Sequence, residues 1–160
     1  MNFNHTMLLP QGAASAMRAP IFAPLHAIAG ELPDAGWPGC ADLNRLADAR
    51  AIRNCGGQAI RFVPQSACQT AFEEKYEPRT FLRGEVQTRG ENWHDLLNAL
   101  VWLTFPRAKA ALNRRHYAAL RAQQAAGALN RGPQQDALTL FDEGGVIVMC
   151  ADDSLSDLDR

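Results

Sequence analysis

Lysine is scarce in this sequence, and paired cysteines and long apolar runs are missing from it. Of the 16 basic residues, only Lys75 and Lys109 are lysines. The four cysteines include no C-x-x-C pair, which disfavours a structural zinc site. No apolar run approaches the ~18 residues of a membrane-spanning helix. The N-terminus lacks the basic and apolar regions of a signal peptide. We therefore expect a soluble, reduced, cytoplasmic protein with no membrane partner.

The overall charge is small, but the two signs are separated along the second half of the chain. The net charge is −1 over 160 residues, which disfavours a nucleic-acid partner without excluding one. Residues 96–135 contain six basic residues and no acidic one, whereas residues 136–160 contain seven acidic residues and one basic residue. The length is that of one domain, and its oligomeric state is left open.

The first half of the chain is punctuated by proline and glycine. Residues 1–36 form a Pro/Ala/Gly-rich lead-in that we expect to be partly disordered, and residues 37–160 are predicted to form a single domain. Its first elements are short: a helix at 40–55 ended by Gly56–Gly57, a strand at 58–63, a helix or turn at 69–79, and a strand pair or loop at 80–91.

The second half supplies the centre of the predicted fold. Asn92 is a good N-cap for a helix at 92–104, and Pro106 suits the first turn of a second helix at 106–126. The runs A-L-T-L-F and V-I-V-M-C, joined by D-E-G-G, predict a β-hairpin at 137–150. We therefore expect an α+β fold that is mainly helical, with a central helical hairpin at about 92–126 and a small antiparallel sheet that includes the β-hairpin.

Polar side chains cluster at the start of the first of these helices. His94, Asp95 and Asn98 are three or four residues apart, so they share one face. A histidine beside an aspartate is the arrangement of a general base and the group that orients it. The helix N-terminus favours anions, and Arg89 lies just before it.

The second helix repeats this pattern. Lys109, Asn113 and His116 lie at i, i+4 and i+7, and a helical hairpin would bring this face to the first one. On this basis the candidate catalytic residues are His94, Asp95, Asn98 and His116. The candidate anion-binding residues are Arg89 and Lys109. A divalent metal is a further candidate, with His94, Asn98, His116 and Asp136 as its ligands.

The same residues also suit a purely structural role. A polar cluster at a helix start caps the helix and anchors neighbouring loops, and a polar stripe on a helix is typical of a surface or interhelical face. Two functions therefore stay open: a hydrolase whose site lies at the start of helix 92–104, and a non-catalytic interaction domain with a buried polar cluster.

A third alternative is a degenerate HNH-like nuclease that depends on a metal. The stretch from His94 to His116 has a histidine, asparagine, histidine order that is similar to the His–Asn–His order of those enzymes. In that family a β-hairpin carries the general-base histidine and the following helix carries the metal ligands. Residues 58–92 contain no histidine, so this similarity is weak.

Three segments resemble one known family. The runs N-W-H-D-L-L-N-A-L-V-W, F-P-R-A-K and D-A-L-T-L-F-D-E are similar to a bacterial family catalogued as domain of unknown function number 3025. The resemblance runs from about Trp37 to Val148, and it implies no established reaction, cofactor or partner. Members of that family continue into a further helical segment, so we expect this chain to be either truncated or a short version.

Overall fold

The fold was obtained as a computed structural model that describes residues 17, 19–34, 36–65, 71–127, 130 and 132–144. The chain divides into two compact units, Met1–Ala118 and Ala119–Arg160. The first unit holds the sheet and most of the helices. The long helix Pro106–Ala125 begins in the first unit and ends in the second.

Short helices begin the first unit. A 3-10 helix at Pro20–Leu25 leads into α1, His26–Ala29, and α2 spans Cys40–Ala49. The predicted helix at 40–55 therefore ends earlier than expected. Ala51 has a positive φ of 48°, which breaks the helical path. The chain then runs extended, and the carbonyl of Ile52 accepts from the backbone N–H of Ile60 at 2.9 Å.

The sheet is a parallel pair of four-residue strands. Strand β1 spans Arg61–Pro64 and strand β2 spans Glu85–Thr88, with Phe62 opposite Val86. Parallel neighbours need a crossover, and here it contains a 3-10 helix at Phe72–Glu74 and α3 at Tyr76–Arg83. The other edge of β1 is covered by the Asn44 side chain, which accepts from the Phe62 N–H at 2.7 Å and donates to its carbonyl at 2.9 Å.

The predicted antiparallel sheet is wrong. The sheet of the described residues is parallel and two-stranded, and the first arm of the predicted β-hairpin lies in a helix, α6, Pro133–Gly144. Pro133 is well suited to the first turn of a helix, and glutamine, alanine and leucine that follow it are good helix formers. The pair Gly144–Gly145 is as typical of a helix end as of a turn. Residues 145–150, the predicted second arm, lie outside the described residues.

The two central helices are confirmed, but their polar side chains do not pair with each other. Helix α4 spans Trp93–Thr104 and α5 spans Pro106–Ala125, with Phe105 between them. The main neighbours of α4 are β2, α1, α2 and the first 3-10 helix. Asn98 on α4 donates to Tyr76 and Asn113 on α5 donates to Glu77, so these two polar residues meet α3 and not each other, unlike in the expected helical hairpin.

One apolar core lies between α4, the sheet and the N-terminal helices. Helix α4 contributes one side of it, and α2 and both strands contribute the other. Burial of apolar surface stabilises a fold by at most about 25 cal/mol per Å². The packing of α4 against the sheet and α2 therefore holds the start of α4 beside the end of β2. The most fully buried apolar residues of this core are Met17, Leu43, Leu46, Ile60, Phe62, Val86, Leu96, Ala99, Leu100 and Trp102.

Candidate functional site

The start of α4 is capped as the sequence predicts. The side chain of Asn92 accepts a hydrogen bond from the backbone N–H of Asp95 at 3.0 Å. This bond satisfies one of the unpaired N–H groups of the first turn. Glu91 precedes the cap with a positive φ of 52°, so the chain turns sharply between β2 and α4. The turn brings Arg89, just after β2, next to Asp95 on the first turn of the helix.

Asp95 is the centre of this turn. Its Oδ2 accepts from the backbone N–H of Arg89 at 2.8 Å and from the Arg89 Nε at 2.9 Å, and its Oδ1 accepts from the Arg89 Nη2 at 2.8 Å. Burial alone would raise the pKa of the Asp95 carboxyl. The hydrogen bonds from Arg89 and His94 outweigh that effect and hold the pKa well below its usual range. Asp95 is therefore a carboxylate at neutral pH.

His94 lies beside that carboxylate and faces water. Its Nδ1 lies 3.0 Å from the Asp95 Oδ1, and 68% of its side chain is exposed. Because the carboxylate can only accept, Nδ1 must carry the proton that it donates. The lone pair of a neutral ring then lies on Nε2. A histidine fixed in this tautomer by a carboxylate has the geometry of a general base and its orienting group.

Asn98 is bound to a residue outside the predicted cluster. Its Nδ2 donates to the hydroxyl of Tyr76, the first residue of α3, at 2.7 Å. Arg89, predicted to bind an anion, has two of its guanidinium nitrogens on Asp95. The structure thus joins Arg89, His94 and Asp95, and it ties Asn98 to a residue that sequence reasoning missed.

The polar face of α5, expected to be either solvated or interhelical, is buried. Lys109, Asn113 and His116 are all buried. The Nδ2 of Asn113 donates to the backbone carbonyl of Glu77 at 3.0 Å and to its carboxylate Oε2 at 2.7 Å. One helical turn further on, the ring of Tyr117 stacks on Phe81 with centroids 4.3 Å apart. This face of α5 therefore packs against α3.

Tyr76 and Glu77 were not predicted as site residues. They are consecutive, and they hold Asn98 on α4 and Asn113 on α5 respectively. The sequence distance from each partner, 22 and 36 residues, leaves no local signal that could have revealed them. Their position follows from the crossover between the two strands, which places the N-terminus of α3 between the two later helices.

The metal site that the sequence suggested has no matching cluster in the described part of the chain. There, no group of three or more His, Cys, Asp and Glu side chains is arranged to hold an ion. Asp136, one predicted ligand, lies in the exposed first turn of α6 in the second unit. Among the described residues, strands β1 and β2 pair in parallel, and the antiparallel bridge between Arg53 and Ala59 lies in a stretch without histidine, so neither supplies the general-base histidine of an HNH-like hairpin.

Comparisons with known proteins give a family and no function. No curated protein and no solved structure matches the chain. Across the residues that the structure describes, none of the helices combines the length and the apolar character that crossing a bilayer requires. The sequence model of one family, described as protein of unknown function (DUF3025), matches residues 60–160. This match covers more than half of the chain and confirms the resemblance noted from its motifs, so the chain belongs to the DUF3025 family.

Proposed function

We propose that this protein is a hydrolase in which His94 acts as the general base. The observation that carries the proposal is the contact of 3.0 Å between the His94 Nδ1 and the Asp95 Oδ1, on a ring that is two-thirds exposed. A base needs a fixed tautomer and access to water, and this pair supplies both.

The reaction uses water as the nucleophile. The Nε2 of His94 removes a proton from a water molecule as the water oxygen attacks the acyl carbon or the phosphorus of an ester. The imidazolium formed is stabilised by the Asp95 carboxylate through Nδ1. The proton then passes from Nε2 to the departing alkoxide, which restores the neutral ring.

Arg89 supports this pair by positioning it. Its guanidinium and its backbone N–H hold three of the lone-pair sites of Asp95, which keeps the carboxylate turned toward the ring of His94. The contact also raises the pKa of Arg89, because the charged guanidinium is hydrogen bonded to an anion. Arg89 is a positioning residue in this scheme and does not contact the substrate.

One observation favours a second candidate, a non-catalytic domain in which these residues only anchor the start of α4. The Asp95 carboxylate is already bidentate to Arg89 and linked to the backbone, so its charge is largely balanced before His94 is considered. In that case the exposed ring of His94 adds nothing to function. The two candidates differ in what a substitution of His94 does to activity.

The test is hydrolysis of p-nitrophenyl acetate and bis(p-nitrophenyl) phosphate, each assayed with divalent cations and with a chelator. His94→Gln is compared with His26→Gln, because His26 is also an exposed helical histidine, and its Nε2 lies 3.4 Å from the backbone carbonyl of Ala19. We expect His94→Gln to lose about 100-fold or more of the rate, as is usual for a general base. We expect His26→Gln to match the unmodified protein.

Two results would contradict the hydrolase. One is a rate for His94→Gln equal to that of the unmodified protein. The other is hydrolysis by the unmodified protein no faster than in buffer alone. Thermal unfolding of both variants serves as the folding control, and both melting temperatures should stay close to that of the unmodified protein because both rings are exposed.

A further inference from the structure

The side of α5 opposite its buried face carries three arginines, Arg107, Arg114 and Arg115, which we call the α5 arginine face. All three are exposed and belong to the first unit. None of them has a hydrogen bond or an ion pair with another described residue. The other described arginines each interact with a neighbouring group, as Arg61 does with Asp48. The three guanidinium groups therefore hold together no part of the described fold.

The three arginines lie along two edges of this face. A helix turns by about 100° and rises by about 1.5 Å per residue. Arg107 and Arg114 are therefore within about 20° of each other around the axis and about 10.5 Å apart along it. Arg115 lies about 80° round the axis from Arg107 and about 12 Å along it. Ala111 and Ala118 lie between the two edges, so the face is a strip of small residues with positive charge on both sides.

No acidic side chain of α5 balances this charge. The helix contains no Asp or Glu, and neither does the whole stretch of residues 96–135. The net charge of −1 arises from acidic residues elsewhere in the chain, so it is not the charge that a partner meets at this face. Arginine is suited to phosphate because its planar guanidinium can donate two parallel hydrogen bonds to one phosphate group. The face is thus complementary to a partner that presents phosphates on two sides of the helix.

The major groove of duplex DNA has that geometry. It is about 12 Å wide, it admits an α-helix, and a phosphate backbone runs along each side. The alanines in the middle of the strip let the helix approach the groove, and the arginines at its edges face the two backbones. Duplex RNA fits less well because its major groove is deep and narrow. A lipid surface fits less well because the strip lacks the large apolar side chains of a membrane-surface helix.

We propose that the α5 arginine face binds the phosphates that flank the major groove of duplex DNA. Arg107 and Arg114 contact one strand, and Arg115 contacts the other. Contacts to phosphate carry no sequence information of their own, so the binding has no sequence preference. This surface is additional to the proposed hydrolase, which uses none of the three arginines.

The experiment measures the fluorescence anisotropy of a short labelled DNA duplex as the full chain is added, at salt concentrations from about 50 to 200 mM. We expect a dissociation constant of about 1–100 µM, which is usual for binding without sequence preference. The logarithm of the association constant should fall with the logarithm of the salt concentration with a slope of about −2.7, as three phosphate contacts on DNA require. A duplex RNA of the same sequence should bind about 5-fold more weakly or less.

The matched variants are Arg114→Gln, Arg115→Gln and Arg61→Gln. All three remove one exposed positive charge, but Arg61 lies on β1 and its Nη2 is 3.5 Å from the Asp48 carboxylate. We expect each α5 variant to bind DNA about 5-fold more weakly near 100 mM salt and to reduce the salt slope by about 1. Arg61→Gln should keep both values. The melting temperatures of the α5 variants should stay close to that of the unmodified protein, because neither side chain has a partner in the described fold.

Four outcomes overturn the proposal. They are no binding of duplex DNA at the lowest salt concentration, equal binding of duplex RNA, and a loss in Arg61→Gln as large as that in the α5 variants. The fourth is displacement of DNA by polyglutamate, or by vesicles of phosphatidylcholine and phosphatidylglycerol, at the same concentration of negative charge. Such displacement would assign the face to an acidic peptide or to a lipid surface. His94→Gln should bind DNA as the unmodified protein does, so this proposal and the hydrolase fail separately.

Discussion

Both carboxylate oxygens of Asp95 are bound by the guanidinium of Arg89, at 2.9 Å from Nε to Oδ2 and at 2.8 Å from Nη2 to Oδ1. The contact joins the end of β2 to the first turn of α4. It therefore fixes the direction in which α4 leaves the sheet. Each hydrogen bond to a charged group contributes about 1.5–3 kcal/mol to stability. The contribution is smaller here because half of the Arg89 side chain is exposed to water, which screens the charges.

This contact predicts a dependence of stability on acid pH. The folded pKa of Asp95 is lowered, so its contribution is complete above the unfolded pKa of about 3.9 and is lost as the pH falls from there toward the folded pKa. We expect Asp95→Asn to lower the free energy of unfolding at pH 7 by about 1–3 kcal/mol. Its urea denaturation should then change less below pH 4 than that of the unmodified protein. Equal pH slopes in the two proteins would refute this assignment.

The close approach of Gly84 to the backbone of Ala59 predicts that a side chain at position 84 destabilises the protein. Gly84 has a φ of 74°, and a Cβ at this position would lie 2.0 Å from the carbonyl oxygen of Ala59. We expect Gly84→Ala to destabilise the protein by more than about 3 kcal/mol, because strain and a backbone clash add together. Gly57→Ala should cost only about 1–2 kcal/mol, since Gly57 has a φ of 83° with open space around it. Gly90, which has neither constraint, is the control, and a Gly84→Ala variant as stable as Gly90→Ala would contradict the geometry.

The two long helices were predictable because their signals are local. Asn92 caps α4 through a residue three positions away, and Pro106 begins α5 directly after Phe105. The contact of His94 with Asp95 was predictable for the same reason, because the two residues are adjacent in sequence. The partners of Asn98 and Asn113 were not predictable from the sequence. Tyr76 and Glu77 come near them only because the crossover from β1 to β2 contains α3. Helix α6 was misread because a run with two leucines and a phenylalanine suits a strand as well as a helix.

The hydrogen bonds of the Asn54 side chain predict a loss of stability when that side chain is removed. Its Nδ2 donates to the carbonyls of Thr80 and Phe81 at 2.8 Å each, and its Oδ1 accepts from the N–H groups of Gly56 and Gln58 at 2.8 and 3.0 Å. Asn54 itself is buried, and removing its side chain takes the hydrogen-bond partner from the carbonyls of Thr80 and Phe81 and from the two N–H groups of the turn. We expect Asn54→Ala to lower the free energy of unfolding by about 2–4 kcal/mol, measured by chemical denaturation.

Asn54→Asp tests the same hydrogen bonds with a side chain of the same shape that lacks the amide donor. The aspartate keeps the acceptor for the two N–H groups, but it places a second acceptor against two carbonyls. We expect it to be at least as destabilising as Asn54→Ala at neutral pH and to recover part of the loss in acid, when the carboxyl can donate. An aspartate variant as stable as the unmodified protein would show that the two bonds to the carbonyls contribute little.

The stacked rings of Phe81 and Tyr117 predict a measurable coupling between α3 and α5. Their planes are 14° apart, and aromatic pairs of this kind contribute about 0.5–1.5 kcal/mol beyond the area they bury. A double-mutant cycle with Phe81→Ala and Tyr117→Ala should give a coupling energy in that range. The control cycle pairs Tyr117→Ala with Phe105→Ala, because Phe105 is half exposed and lies about 18 Å away along the helix. The control should be additive within about 0.5 kcal/mol, and an additive first cycle would mean that α3 and α5 are not held together by this pair.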